Sequence, residues 1–465
     1  MTKAFDPQEI QGNILRGYRR NLVRHLILEV TNAGVARRFL GLSVAGDSPD
    51  VPAITPDKTW PTKPEFCFNI GITFEGLRAL RVPSRHLETF PTEFMQGMTK
   101  RAIKIGDFGE SAPEHWPAPF DQPERVHIIA SIHADAEGPL DRAQAQVERA
   151  FTTLGVRNGR NLPEGRVFFG YVDGISQPRF NHIDDPSQKD VDEPIDPLGT
   201  ALLGYPTRQE GVTFRVPSPR DLGFNGSFNA FRILAQDAAG FETYLNDAAT
   251  ELMTHPDVNQ LADPHRLERI GEGLDMHGAL REVVAAQMCG RWRNGVPYEL
   301  SPDAQYPEER VSLTNFDYSH RSRCPVGAHM RRGNPRGGPI VQRIANYTRR
   351  LVRRGMSYGP DFDPKNPDSQ ERGLLGNFIG ANLGAQFEAV MCDWINLGLQ
   401  DPRITSSNDP LLGANTPQTS WFDMSLPSGG TIRLRGFPRL ITSRGGAYTF
   451  LPSIAAIKHL SELND

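Results

Sequence analysis

Residues 226–247 read GSFNAFRILAQDAAGFETYLND. The first twelve form an apolar run broken at Gln-Asp, which suits a strand, and AAGFETYLND then mixes polar and apolar positions as a helix does. The same order recurs on both sides. Further along, GLLGNFIGAN precedes LGAQFEAVMCDWINLG, and GGAYTFLPSIAAIKHL closes the chain. In the N-terminal half, RHLILEV (Arg24–Val30) leads into a helical pattern from Ala33, and FCFNIGIT (Phe66–Thr73) ends on Thr73, an N-cap for FEGLRALRV. RVHIIASIHA (Arg125–Ala134) precedes PLDRAQAQVERAFTTLG, where Leu140, Ala145, Val147 and Ala150 recur at helical spacing. RVFFGYVDG, from Arg166, reads as a fourth strand. Strand–helix–strand units with short connections in each half predict two α+β domains of similar type, 1–215 and 216–465. The Asp-, Pro- and Gly-rich segment Asp184–Asp221 is the predicted junction.

The bulk properties fit this division. A chain of 465 residues exceeds one ordinary core. Hydrophobic content of 38% and charged content of 23% describe a globular protein. A net charge of −4 argues against a general nucleic-acid binder. No apolar run reaches membrane-spanning length without charges, and MTKAFDPQEIQGNILRGY carries no secretory pattern. Cys67, Cys289, Cys324 and Cys392 are widely spaced with no Cys-x-x-Cys pair, so free thiols and a cytoplasmic location are expected.

Against that background one segment is anomalous. From Arg321 to Arg354 there are ten arginines and no lysine, aspartate or glutamate. Arginine alone points to planar, two-pronged capture of carboxylate or phosphate, with ordinary surface ion pairs as the competing reading. His329 lies inside the segment, in CPVGAHMRRGNPR, among small and apolar neighbours. An imidazole with an open apolar face beside anion-binding arginines suits an axial ligand of heme iron, although the Cys324 thiolate competes for that place. Upstream, FFGYVDGISQPRF sets Asp173 between Gly170 and Gly174, either as a turn former or as a general base.

With these residues in view, the chain resembles the dye-decolorizing peroxidases, a heme peroxidase family. The resemblance rests on GYVDGISQP, CPVGAHMRRGNPR, LVRRGMSYGP (Leu351–Pro360) and ERGLLGNFIGAN. QGNILRGY, NGSFNAFRILAQD, GRWRNG and RGGAYTFLPS add to it, in order along nearly the whole chain. It implies two ferredoxin-like domains, antiparallel sheets with flanking helices, holding heme b mainly against the C-terminal half. It also implies His329 as axial iron ligand, Asp173 as distal acid–base, Arg353 as distal arginine with Arg354 its neighbour, and Arg336 as a partner of the heme propionates. Hydrogen peroxide and small aromatic or dye-like reductants are the implied substrates. A heme-binding or iron-release protein without turnover is the alternative.

One departure from the family pattern is Gly376, where an aromatic often follows Gly-Leu-Leu. Either Phe378 fills that space or the distal side is more open. Glu388 and Asp409 are both candidates for the acid that partners His329. A carboxylate shuttle also implies an acidic optimum. A bulky dye would be oxidised at the surface, at Trp394 or, as second choice, Tyr347, because only Trp and Tyr side chains are readily oxidised on the way.

Overall fold

The protein was analysed as a computed structural model that describes residues 5–181, 183, 194–320, 323–342, 344 and 346–463. Arg321 and Arg343 of the arginine-rich segment, and residues 184–193 of the predicted junction, lie outside the described residues.

The N-terminal half contributes β1 (Leu22–Glu29), β2 (Phe66–Ile72), β3 (Ile128–Ala134) and β4 (Thr152–Arg160). The C-terminal half contributes β5 (Ser227–Gln236), β6 (Val352–Tyr358), β7 (Gly373–Gly380) and β10 (Ile441–Leu451). Between β7 and β10, β8 (Trp421–Ser425) and β9 (Thr431–Arg435) form a separate hairpin. The eight main strands close into a barrel in the order β1-β3-β2-β10-β5-β7-β6-β4. Within each half the order is fourth-first-third-second, all antiparallel, which is the ferredoxin-like βαββαβ arrangement repeated. The two sheets meet only along their edges, through the single pairs Ile72–Phe450 and Arg160–Ser357.

Local signals fix the elements. Asn32 accepts a hydrogen bond from the Val35 amide to start helix Ala33–Ala45, and Gly46 stops it at φ 70°. Thr73 caps Phe74–Ala79 as expected, and Asp237 caps Ala238–Leu252. β1 and β5 are buried along nearly their whole length, so their apolar residues run nearly continuously rather than alternating, with polar residues such as His25 and Arg232 buried among them. The helix expected after β7 forms as two successive π-helical segments, Leu383–Glu388 and Val390–Asn396. Such widened turns often occur at functional sites.

Two expectations are corrected. RVFFGYVDG is not a ladder strand; Arg166 and Val172 form only an isolated bridge. Gly170 adopts φ 83°, its amide closes a turn on the Val167 carbonyl at 2.7 Å, and the Arg293 guanidinium packs where a Cβ would stand. The real fourth strand begins at Thr152, inside the stretch read as the tail of a helix that in fact ends at Val147. Its sequence, TTLGVRNGR, has two glycines and little apolar contrast. Pairing with β1, not its own pattern, makes it a strand.

Candidate active site

A cavity of about 500 Å³ is lined by residues of both halves. This is within the roughly 300–1,000 Å³ range of cofactor sites. His329, Asp173, Arg353 and Arg336 all line it, so the folding brings together four residues that span 180 positions of sequence. Phe387, Val390, Met391 and Ile395 of the π-helical segments, with Leu411 and Leu412, give it an apolar wall. Asp173 is the single carboxylate among the described lining residues, against eight arginines.

His329 begins a short helix, His329–Gly333. Its Nδ1 lies 3.0 Å from Oδ2 of the fully buried Asp409. Burial alone would push the imidazole down, but the Asp409 charge and hydrogen bond raise it above its ordinary value. Its side chain is 29% exposed, and that exposure is to the cavity it lines. Nε2 makes no hydrogen bond among the described residues. Asp409 is thus the acid partner. Glu388 instead receives Arg101 at 2.5 Å and the Tyr448 hydroxyl at 3.0 Å, and does not line the cavity. The Cys324 thiol does not line the cavity, and burial pushes it up to about 12.

Also on the cavity wall, the Asp173 loop is locked to β6. The Gln177 side chain accepts from the Arg353 amide at 3.0 Å and donates to the Arg353 carbonyl at 2.9 Å. Arg353 Nη2 donates to the Ser176 carbonyl at 2.7 Å. Ser176 also receives Arg336 Nη2 on its hydroxyl at 3.1 Å, so one residue ties both arginines together. The Asp173 carboxylate is exposed and has no hydrogen-bond partner among the described residues. Arg349 and Arg350 pair with Asp393 at 2.9 Å and Asp196 at 2.6 Å, whereas Arg353 has no carboxylate partner among the described residues.

Arg354 also lines the cavity, but its guanidinium is spent on backbone carbonyls. It donates to the carbonyls of Asn13, Ile14 and Leu15 and so fastens the QGNIL turn. Phe378 fills the space left by Gly376: a Cβ at 376 would lie 2.6 Å from its ring. Trp394 is corrected as a surface site, because it is 1% exposed. Its indole donates to Gln342 Oε1 at 2.7 Å and Arg349 stacks on it at 4.7 Å, so hydrogen bonding and stacking hold it inside. Tyr347 is half-buried, near Arg208 and Arg350.

Sequence reasoning missed Ser176 and Gln177, which lie inside the quoted GYVDGISQP motif, and Arg291, in GRWRNG. It also missed His25 and His133, whose strands carry them to the cavity wall. Their only signal was a polar residue inside an apolar strand.

Comparisons with known proteins agree over the full length. A dye-decolorizing peroxidase of Auricularia auricula-judae is 27% identical over 487 residues, covering 98% of this chain and 86% of that protein. The multifunctional dye peroxidase of Amycolatopsis is 26% identical, covering 97% and 95%. A crystal structure of a dye-decolorizing peroxidase superposes with a TM-score of 0.79 at 25% identity, covering 99% of each chain. Another, in complex with 2,6-dimethoxyphenol, gives 0.77 at 26% identity, covering 98% of this chain and 100% of the other. No protein-family model matches the chain.

Proposed function

We propose, from the premise that the chain belongs to the dye-decolorizing peroxidase family, that His329, Asp173 and Arg353 are its working residues. The chain is a heme peroxidase that reduces hydrogen peroxide and oxidises dyes and phenolics in one-electron steps. Its cavity residues fit heme: an apolar slot, an imidazole with a free Nε2, and buried guanidinium nitrogens of Arg291 that lack partners. His329 would hold the iron through Nε2, and Arg336 would hold an acid group of the porphyrin. When bound, heme supplies the iron that accepts oxidising equivalents from peroxide and passes them on singly.

The residues supply the rest. Asp409 accepts the Nδ1 proton of His329, which fixes the tautomer and raises the basicity of Nε2. The Asp173 carboxylate would take the first proton of hydrogen peroxide and hold it for return to the far oxygen. Arg353 is aimed by its bonds to Ser176 and Gln177 and would stabilise negative charge on the peroxide. The unpaired cysteines support a reducing, cytoplasmic setting. No helix among the described residues is long and apolar enough to cross a membrane.

The observation that carries the assignment is His329, buttressed by Asp409 and open at Nε2 to the cavity that also holds Asp173 and Arg353. The test is the absorption spectrum of the purified chain before and after peroxide, with oxidation of 2,6-dimethoxyphenol followed alongside. A heme spectrum with peroxide-dependent oxidation is expected. Heme without turnover would leave a carrier or iron-release protein.

A further inference from the structure

Arg291 follows helix Met276–Cys289, one residue past Gly290, which ends that helix at φ 91°. It is 3% exposed and lines the same cavity as Arg336, which is 2% exposed. The two are anchored by neighbouring carbonyls. Arg291 Nη1 donates to Leu313 and Gly295, both at 2.8 Å, and Arg336 Nη1 donates to Thr314 at 2.5 Å. Phe316 stacks against both guanidinium groups, at 5.5 and 4.4 Å. Segment 313–316 therefore sets two cations side by side.

Their satisfaction differs. Arg336 spends its second nitrogen on the Ser176 hydroxyl. Nε and Nη2 of Arg291 have no partner, and no carboxylate pairs with it among the described residues. Burial, with Arg336 nearby, pushes the guanidinium down to about 10, so it stays cationic at neutral pH. A buried, unpaired cation beside a second cation costs several kcal/mol unless an anion completes it. The planar fork of arginine fits a carboxylate with two parallel hydrogen bonds.

We infer that Arg291 is a second carboxylate-binding residue of the cavity, acting beside Arg336 on the acid groups of heme. This rests on the heme reading above. Arg291 supplies an unspent pair of donors, whereas Arg336 is positioned by Ser176 and thereby tied to the distal loop. The competing account is that Arg291 is only a clip between the Gly295 and Leu313 carbonyls.

The test strips heme from the full chain and titrates it with heme and with heme dimethyl ester, whose acid groups are masked. Arg291→Met is expected to weaken heme roughly 10- to 100-fold, the size of a lost charge-assisted contact. It should weaken the ester little. The heme-free variant should melt at the wild-type temperature or above, because an unpaired buried charge has gone. Equal loss on heme and ester, or a lowered heme-free melting temperature with unchanged heme affinity, makes Arg291 a clip and overturns the inference. Should Arg291→Met not fold, Arg291→Lys keeps a cation without the fork. Weaker heme with unchanged ester binding supports the inference, and unchanged heme binding overturns it. A wild-type chain that binds neither porphyrin removes the heme reading itself, a result distinguishable from either variant outcome.

Discussion

His329 Nδ1 and Asp409 Oδ2 lie 3.0 Å apart, and the rest of Asp409 is equally engaged. Its Oδ1 accepts the amides of Leu411 at 2.9 Å and Leu412 at 2.8 Å. Burial would push this carboxyl up; the charges of His329 and Arg332 and these hydrogen bonds together hold it below its ordinary range. A carboxylate fixed in this way should act on the imidazole as a strong acceptor. Asp409→Asn is therefore expected to lower heme affinity or turnover about 10- to 100-fold. Heme titration and turnover check it; unchanged values would reduce the contact to packing.

His329→Ala should lose most bound heme or change its spectrum, and Cys324→Ser should leave the spectrum alone. The reason is placement: the imidazole lines the cavity, and the thiol does not. A spectral shift in the cysteine variant alone would reverse the assignment.

Asp173 and Arg353 contribute separable effects. Both Asp173→Asn and Arg353→Leu should retain heme. Stopped-flow mixing with peroxide should show slowing by about 10²–10⁴-fold for the first. For the second the expected slowing is about 10²–10³-fold. Gln177→Leu removes two bonds that hold the Arg353 backbone and should slow the same step without altering heme content. A wild-type rate in Asp173→Asn would take the aspartate out of the mechanism.

Acid should destabilise the heme-free chain through His25 and His133. Burial pushes both down to about 3; His133 adds to the effect on His25, and Arg20 to that on His133. An unfolded histidine takes up its proton near pH ~6.5. The folded chain cannot do so until about pH 3, so the stabilisation is complete above pH ~6.5 and is lost as pH falls toward 3. Each such proton is worth about 1.4 kcal/mol per pH unit. Melting curves from pH 7 to 4 should be flatter in a His25→Gln, His133→Gln double variant. An identical slope would rule the pair out as the cause.

Trp394→Phe should change turnover of a bulky dye and of a small phenol in the same proportion, because the ring is buried and no dye can reach it. Tyr347→Phe is expected to lower only dye turnover, since Tyr347 is the more exposed of the two. A dye-selective loss in Trp394→Phe would restore the indole as an internal electron relay.

Much of this protein was legible in one dimension. Each half carries strands whose apolar runs and caps are local features, so β1, β2, β3, β5, β7 and the end of β10 could be read without any neighbour. His329, Asp173, Arg353 and Arg336 could be singled out because short motifs hold them, and folding brings all four to one cavity. The tertiary structure alone decided the rest. β4 exists because β1 offers a ladder edge, whereas RVFFGYVDG was lost as a strand because Gly170 turns it back and Arg293 occupies its flank. Asp409 and Glu388 are equally buried and were separated only by which one reaches His329, which no spacing encodes; Trp394 was withdrawn from the surface by packing, a fact of the same kind. Arg291 looked like any other arginine until folding placed it beside Arg336 with two donors unspent. Hydrophobic pattern and turn chemistry are properties of neighbours in sequence, but desolvation and pairing of charge depend on neighbours in space.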